Sequence, residues 1–318
     1  MIKNLVICEN LRYPPDEGAS KLTTEFIKSL NDGVKIINFG GNLEISGIKA
    51  MEISYTRIPI LGFIFGRLIS FLYVLIIRPE NIYYFPLCAP GVINQTYASI
   101  LNILTPNFKE MIFQTGDFSN FVRFFSRFKI VVFSKISFDI LIKQGLHAEY
   151  ITIPQIKLNK NYDKKKMREK YGIKENAFVV LHVGHAEAGR GLDVLSELQE
   201  IMSDIEIIIV LSSRNKIVKE NPLNPKIKII DRYLEDIHEI FATADVYLFP
   251  IKTKGSAIDI PLSIIEAKNM NLPVIASDVG FVKETIKGYS KGYLIEVNSP
   301  KEMAKNIKHI LEEKIIKK

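Results

Sequence analysis

The sequence predicts an α/β chain of two doubly wound, parallel-sheet domains, and three observations predict it. Short apolar runs rich in Ile and Val alternate with helical periodicity along all 318 residues. These runs are apolar throughout, as strands covered on both faces must be, whereas a half-exposed antiparallel strand would alternate. The pattern breaks where Ile153-Pro154 leads into polar, lysine-rich Gln155–Lys166. That change of composition marks a linker. One domain is therefore expected over 1–153 and another over 154–318, with the last helix free to pack back on the first. Each half is long enough to bury a core.

Composition narrows the class. A hydrophobic content of 47% with 24% charged residues excludes wholesale disorder. A formal net charge of +7 points to an anionic partner: nucleotide phosphates, an acidic membrane surface or nucleic acid. The lysines are spread, however, including the solvated runs Lys164–Lys166 and Lys314–Lys318. The two cysteines, Cys8 and Cys88, fall in or beside apolar strands and lack zinc-site spacing, so they read as reduced core thiols. MIKNLVICEN runs straight into a strand without a signal-peptide layout, which makes a cytoplasmic protein the expectation.

In the first half, Leu5–Cys8 is the first strand. The loop from Tyr13 to Ser20 follows, where Gly18 lets backbone approach a ligand as the helix Lys21–Leu30 begins. Any strand-to-helix turn uses such residues, so the loop alone does not specify phosphate. Further strands are expected at Val34–Ile37, Met51–Ser54, Ile82–Phe85, Met111–Phe113, Ile130–Phe133 and Tyr150–Ile153. Ile58–Ile77 is nearly all apolar, with Gly62 and Gly66 at the spacing of a membrane dimer face. A single span would place the flanking strands on opposite sides of a bilayer and Arg67 near its middle, at about 2.5–3.5 kcal/mol. A helix buried against the sheet avoids both conflicts, with partial membrane embedding as the alternative.

Gln114-Thr115-Gly116-Asp117 follows a strand, at the end where open α/β sheets bind ligands, which makes Asp117 a catalytic candidate. Phe118, Phe121, Phe125 and Phe128 then form a helical stripe, with Arg123 and Arg127 on another face. The first reading is a core-facing stripe with solvated arginines. The second is a basic amphipathic helix on anionic lipid.

The second half opens with a short helix, Lys164–Tyr171, and the strand Phe178–Val183. Gly184-His185-Ala186-Glu187-Ala188-Gly189-Arg190-Gly191 comes next, before the helix Leu192–Met202. Three glycines around one arginine can fold over a diphosphate while the guanidinium neutralises it. A surface ion pair is the plainer reading of Arg190. His185, with an ordinary pKa of about 6.5, is either a weak phosphate ligand or a structural histidine. Strands are expected at Ile205–Leu211, Ile227–Ile230 and Val246–Phe249, with a helix over Leu234–Ala244. Asp231-Arg232-Tyr233, at a strand end, is a candidate for contact with a base.

Ile251–Lys287 carries the densest signal. A loop of small and charged residues, Lys252–Asp259, leads to Pro261, whose fixed φ suits a first helical turn. Leu262, Ile265 and Met270 are expected on a buried flank, with Asn269 and Asn271 as stops before the strand Val274–Ala276. The N–H groups of Leu262 and Ser263, at the start of the helix, attract phosphate together with the helix dipole. Asp259 and Glu266 are about two turns apart and can project along one edge of that site. One would accept from ribose hydroxyls and the other from a sugar. Val282–Ile286, Tyr293–Val297 and Pro300–Glu313 complete the domain.

PLSIIEAKNMNLPVIASDVG resembles the nucleotide-sugar signature of the retaining GT-B glycosyltransferases of family 4. That signature has a loop carboxylate, a helical Glu-Ala pair and a PVIASDVG strand and loop. Arg190-Gly191 is similar to the family's basic residue and glycine, and His185 holds the slot of a further basic residue. Two departures stand out. The family's loop Glu falls at Ile258, with Asp259 one step closer to the helix, and no histidine lies near Asp117.

The resemblance, strongest from Phe178 to Ile286, implies two Rossmann-like domains facing across a cleft, the donor in the second and the acceptor in the first. It implies transfer of a hexosyl group with retention from a nucleotide-diphospho-sugar to a glycan or lipid-linked acceptor, as in cell-envelope polysaccharide synthesis. Neither metal nor cofactor is expected, and no nucleic acid; the lack of a D-x-D triplet fits this. Glu266 would bind ribose, Arg190 and the glycines Gly18, Gly184 and Gly191 the diphosphate, and Asp259 a sugar hydroxyl. A peripheral position at an anionic inner membrane face is a further expectation. A sugar-nucleotide epimerase or a non-catalytic binding subunit of the same architecture are the alternatives.

Overall fold

The computed structural model describes the chain apart from residues 1, 10, 12–14, 16–17, 31–32, 40–42, 46, 54–58, 87–91, 106–107, 114–128, 153–160, 212–222 and 317–318. Two compact units, Met1–Pro154 and Gln155–Lys318, make up the protein. The first unit runs β1 (Asn4–Glu9), α1 (Gly18–Ser29), β2 (Val34–Phe39), β3 (Glu44–Ile45), β4 (Ile48–Lys49), β5 (Met51–Ile53) and α2 (Pro59–Ile77). It continues through β6 (Asn81–Phe85), α3 (Val92–Leu104), β7 (Phe108–Phe113), β8 (Lys129–Val132), α4 (Lys135–Lys143) and β9 (Ala148–Tyr150). The second unit runs α5 (Lys164–Lys170), β10 (Phe178–Gly184), α6 (Leu192–Ile201), β11 (Ile205–Leu211), β12 (Lys228–Ile230), α7 (His238–Thr243) and β13 (Val246–Phe249). α8 (Leu262–Asn269), β14 (Val274–Ser277), α9 (Val282–Ile286), β15 (Gly292–Ile295) and α10 (Pro300–Ile316) complete it.

The sheets have the orders β5-β2-β1-β6-β7-β8-β9 and β12-β11-β10-β13-β14-β15, with every neighbouring pair parallel. Among the described residues, only the small β3-β4 hairpin is antiparallel. Winding reverses between β1 and β6 in one sheet and between β10 and β13 in the other. Loops diverge at these switch points, beyond the carboxyl ends of the strands.

Most expected elements are present, and the differences have local causes. α7 is shorter than Leu234–Ala244 because the Asp236 carboxylate accepts from the His238 backbone N–H at 3.2 Å and from the Tyr162 hydroxyl, capping a later start. β9 ends where the expected strand Tyr150–Ile153 began, since its partners on β8 pair with Ala148, Glu149 and Tyr150. Pro261 caps α8 in an extended conformation rather than joining its first turn. Ile264 and Ala267 supply that helix's buried flank, where Ile265 and Met270 were expected. α10 buries Met303, Ala304, Ile307 and Ile310 in the core of its own unit, beside α6. Cys8 is a free, buried thiol that burial pushes far above the usual range; Cys88 lies outside the described residues.

α2 corrects the expectation of a helix buried against the sheet. One flank is buried: Gly66 sits so close to β5 that a Cβ there would lie 2.9 Å from Ile53 Cγ2. Arg67, Ser70 and Val74 follow on that flank. The opposite flank is uncovered, with Phe65 59%, Leu72 61% and Ile76 78% exposed. A helix apolar on nearly every side has more greasy surface than one sheet face can cover. Among the described residues, no helix is long and apolar enough to cross a membrane.

A buried carboxylate ties the second unit together. Asp245, just before β13, accepts from the Val179 N–H at 2.7 Å and from Arg168 at 2.8 Å. Its other oxygen accepts from Lys164 at 2.6 Å and Lys314 at 2.5 Å, so α5, β10 and α10 converge on one group. Burial alone would raise its pKa, but these partners, Lys164 foremost, hold the carboxyl below its ordinary value. Asp245→Ala should destabilise the protein by about 3–5 kcal/mol in urea unfolding, because Arg168 is left buried and unpaired. Lys164→Met, removing a partner 42% exposed, should cost about 1 kcal/mol or less.

Candidate functional site

The carboxyl ends of β10, β13 and β14 bring most of the expected residues of the second unit into one region. β10 ends at Gly184, and the next residues form a single 3-10 turn, Ala188–Arg190. Gly191 follows with φ of 71°. A side chain there would be strained twice, by that left-handed backbone and by a Cβ only 1.9 Å from the Pro250 carbonyl. The loop after β13 is fastened to this turn, as the Lys252 N–H donates to the Gly189 carbonyl at 2.8 Å. Lys252 also pairs with Asp193 in the first turn of α6. The glycine loop and the Lys252–Asp259 loop therefore form one packed edge.

Arg190 is half-buried at the mouth of β10, its Nη1 3.6 Å from where a Gly184 side chain would begin. Tyr247, fully buried in β13, donates to the Val183 carbonyl at 3.4 Å. Burial pushes the Tyr247 hydroxyl well above its ordinary pKa; a hydrogen bond with Ser263 opposes this, the Glu266 charge adds to it, and Arg190 opposes it. Ser263 thus hydrogen-bonds this hydroxyl, which also feels the charges of Glu266 and Arg190. Asp259 and Glu266 are buried, at 6% and 4% exposure. Buried carboxylates need polar or charged partners; Asp259 stands just before α8 and Glu266 near its middle. There the first N–H groups, of Leu262 and Ser263, have no acceptor within the helix. Leu262's own side chain is buried, so it contributes backbone only.

The remaining candidates are not in this group. Gly18 is the first residue of α1, in the first unit. Asp117 and the stripe Phe118–Phe128 lie outside the described residues. Asp231, Arg232 and Tyr233 are exposed and follow β12, the outermost strand, two strands away from β13's neighbour β10. Among the described residues, no group of three or more His, Cys, Asp or Glu side chains could hold a metal ion.

Sequence reasoning missed His182 and Tyr247, both read simply as strand residues. His182 is fully buried, with Nδ1 donating to the Leu248 carbonyl at 3.0 Å. Nε2 therefore carries the lone pair; it has no partner among the described residues and would lie 2.9 Å from a Cβ on Gly184. Burial first, and then the charges of Arg190 and His185, push this imidazole down from 6.5 to about 4, against the Leu248 hydrogen bond. An unfolded chain binds this proton between those two values, so stability must fall as pH drops from 6.5 towards 4. Wild-type protein should lose up to roughly 3 kcal/mol from this group across that range. His182→Phe, compared by denaturation at a series of pH values, should flatten the slope by that amount.

Comparison with known proteins shows what this chain is similar to. Residues 163–318 match the model of the family described as glycosyl transferases group 1. The alpha-galactosylglucosyldiacylglycerol synthase of Streptococcus pneumoniae is 24% identical over 52% of this chain and 48% of its own length. The chain thus spans about half the length of this curated relative. Among solved structures, Anabaena Alr3699/HepE in complex with UDP superposes with a TM-score of 0.77 at 17% identity, covering 98% of this chain and 90% of that one. Sucrose-phosphate synthase from Thermosynechococcus elongatus gives 0.74 at 14% identity over 98% and 90%. Residues 163–318 are thus similar to the glycosyl transferases group 1 family, within a chain of GT-B fold.

Proposed function

We propose that the protein is a glycosyltransferase that moves a hexosyl group from a nucleotide-diphospho-sugar to a lipid-borne acceptor, with retention and without metal or cofactor. The observation that carries this reading is the packing of the glycine turn with Arg190 against the loop that leads, through buried Asp259, to α8 with its buried Glu266. A guanidinium beside a glycine turn and a helix start suits a diphosphate leaving group, with charge stabilised by fixed donors. Glu266 is suited to ribose and Asp259 to a sugar hydroxyl. The leaving diphosphate would take the acceptor's proton as the new bond forms. A relative of this fold binds UDP and UDP-glucose, and a similar chain is named for a diacylglycerol glycolipid, which supports both substrate classes.

A panel of nucleotide sugars assayed in EDTA tests the reading, with the anomeric configuration of the product read by NMR. An epimerised donor, or binding without turnover, would favour the alternatives. Arg190→Ala should weaken nucleoside-diphosphate binding by roughly 2–3 kcal/mol while leaving the free nucleoside's affinity unchanged. Equal calorimetric losses for both ligands would make the loop structural. Asp259→Asn should keep nucleotide affinity and lose turnover, whereas Glu266→Gln should lose affinity itself.

A lipid surface for the acceptor is supported by the uncovered flank of α2, which continues onto α3, where Ile103 is 76% exposed. Each such aliphatic side chain gains about 1.5–3 kcal/mol on full burial. Neither flank carries an exposed charge among the residues described from 64 to 77 and 93 to 104. Vesicles with anionic lipid should float the wild-type protein, and the triple variant Phe65→Ser, Leu72→Ser, Ile76→Ser should stay in the dense fraction with UDP affinity intact. Wild-type protein that never floats would sink the membrane reading.

A further inference from the structure

Among the described residues, a carboxylate at the switch point of the first sheet is held through one of its oxygens. Glu9 is the last residue of β1, beside the end of β6. Its Oε1 accepts from Arg67 Nη2 of α2 at 2.5 Å and from the Tyr84 hydroxyl of β6 at 2.6 Å. The Tyr84 oxygen also lies 3.1 Å from Asn94 Oδ1 of α3, but one hydroxyl proton serves one acceptor, and the charged, nearer one is the stronger. Arg67 is fixed between the Phe39 and Tyr97 rings, 5.2 Å from each centroid. Beyond Glu9 the chain is pinned as well, since the buried Asn38 side chain bonds both the N–H and the carbonyl of Leu11, at 3.0 and 2.9 Å.

No described residue hydrogen-bonds Oε2, and the Glu9 side chain keeps 13% of its surface. An ion pair this buried adds little stability over an apolar pair of the same size, so its presence asks for another reason. Its position supplies one, because open α/β sheets bind ligands where the winding reverses. Burial raises the Glu9 carboxyl's pKa, against the Tyr84 hydrogen bond and the Arg67 charge, as at a group kept apart from solvent.

We propose that Glu9 binds the acceptor, Oε2 accepting a hydrogen bond from a hydroxyl of a hexosyl headgroup while Arg67 and Tyr84 hold Oε1. This rests on the glycosyl-transfer reading and names the acceptor class as a glycolipid. Arg67 and Asn94 stand on the inner sides of α2 and α3, the two helices whose outer flanks are apolar. This pair of helices then faces the sugar-binding carboxylate of β1 on its inner side and offers a lipid-compatible surface outside.

The test uses octyl glucoside below its micelle concentration as the probe, with transfer kinetics and saturation-transfer NMR as readouts. Glu9→Gln alone would strand Arg67, so the chosen variant is Glu9→Gln with Arg67→Met, which removes both charges at similar volume. It should retain its melting temperature within a few degrees and its UDP affinity, while KM for octyl glucoside rises at least tenfold and the NMR signal from the glucosyl protons disappears. Tyr84→Phe keeps the ion pair and the fold, and should raise the same KM about threefold to tenfold. An unchanged KM and NMR signal in both variants would make the network purely structural and overturn the proposal. UDP affinity of the wild type reports separately: its absence overturns the glycosyl-transfer reading rather than the role of Glu9.

Discussion

Parallel pairing is the constraint from which the other features follow. Each strand of a parallel sheet must be reached by a crossover, and every crossover in both units begins at the same edge of its sheet. Apolar strands such as Ile205–Leu211 are covered on both faces, so side chains able to do chemistry are confined to the strand ends and the loops beyond. Reversal of winding then leaves one gap in each sheet, at β1/β6 and at β10/β13. The polar groups of interest gather at those two gaps: Glu9, Arg67 and Tyr84 at one, Arg190, Tyr247 and Glu266 at the other.

Within the second unit, close backbone approach is what builds the site. The glycine turn abuts the loop after β13, where the Pro250 carbonyl occupies the space a side chain at 191 would need. The Gly189–Lys252 hydrogen bond fixes the spacing of the two loops. Buried groups such as His182 are tolerated there because the imidazole stays neutral beside Arg190. Far from that edge, Asp245 uses three cations and a backbone N–H to hold helices from both ends of the unit. Rigidity at the base of the sheet and polarity at its carboxyl edge are thus separate pieces of the same unit.

The first unit is arranged the other way round at α2. Its single described cation, Arg67, points inward to a carboxylate and two rings, while leucines, isoleucines and a phenylalanine face outward. A soluble helix normally does the reverse. The inward arginine is stable because Glu9 neutralises it and the aromatic faces solvate its plane.

Most strands, the break between the two halves and the positions of Arg190, Asp259 and Glu266 in a glycine turn, a loop and a helix were legible in the sequence. Those features are local: apolar runs of fixed length, a glycine beside a required turn, a carboxylate at a helix start. Tertiary structure alone decided which strands flank the gaps, because strand order depends on contacts between residues distant in sequence. It alone brought Glu9 to Arg67, 58 positions away, and the Tyr247 hydroxyl to the Val183 carbonyl. It also decided that α2 is covered on one side only, since burial depends on what lies opposite and not on how apolar the helix is. His182 shows the same division: its letter sits in an ordinary strand, and only the neighbouring Leu248 carbonyl fixes which ring nitrogen carries the proton.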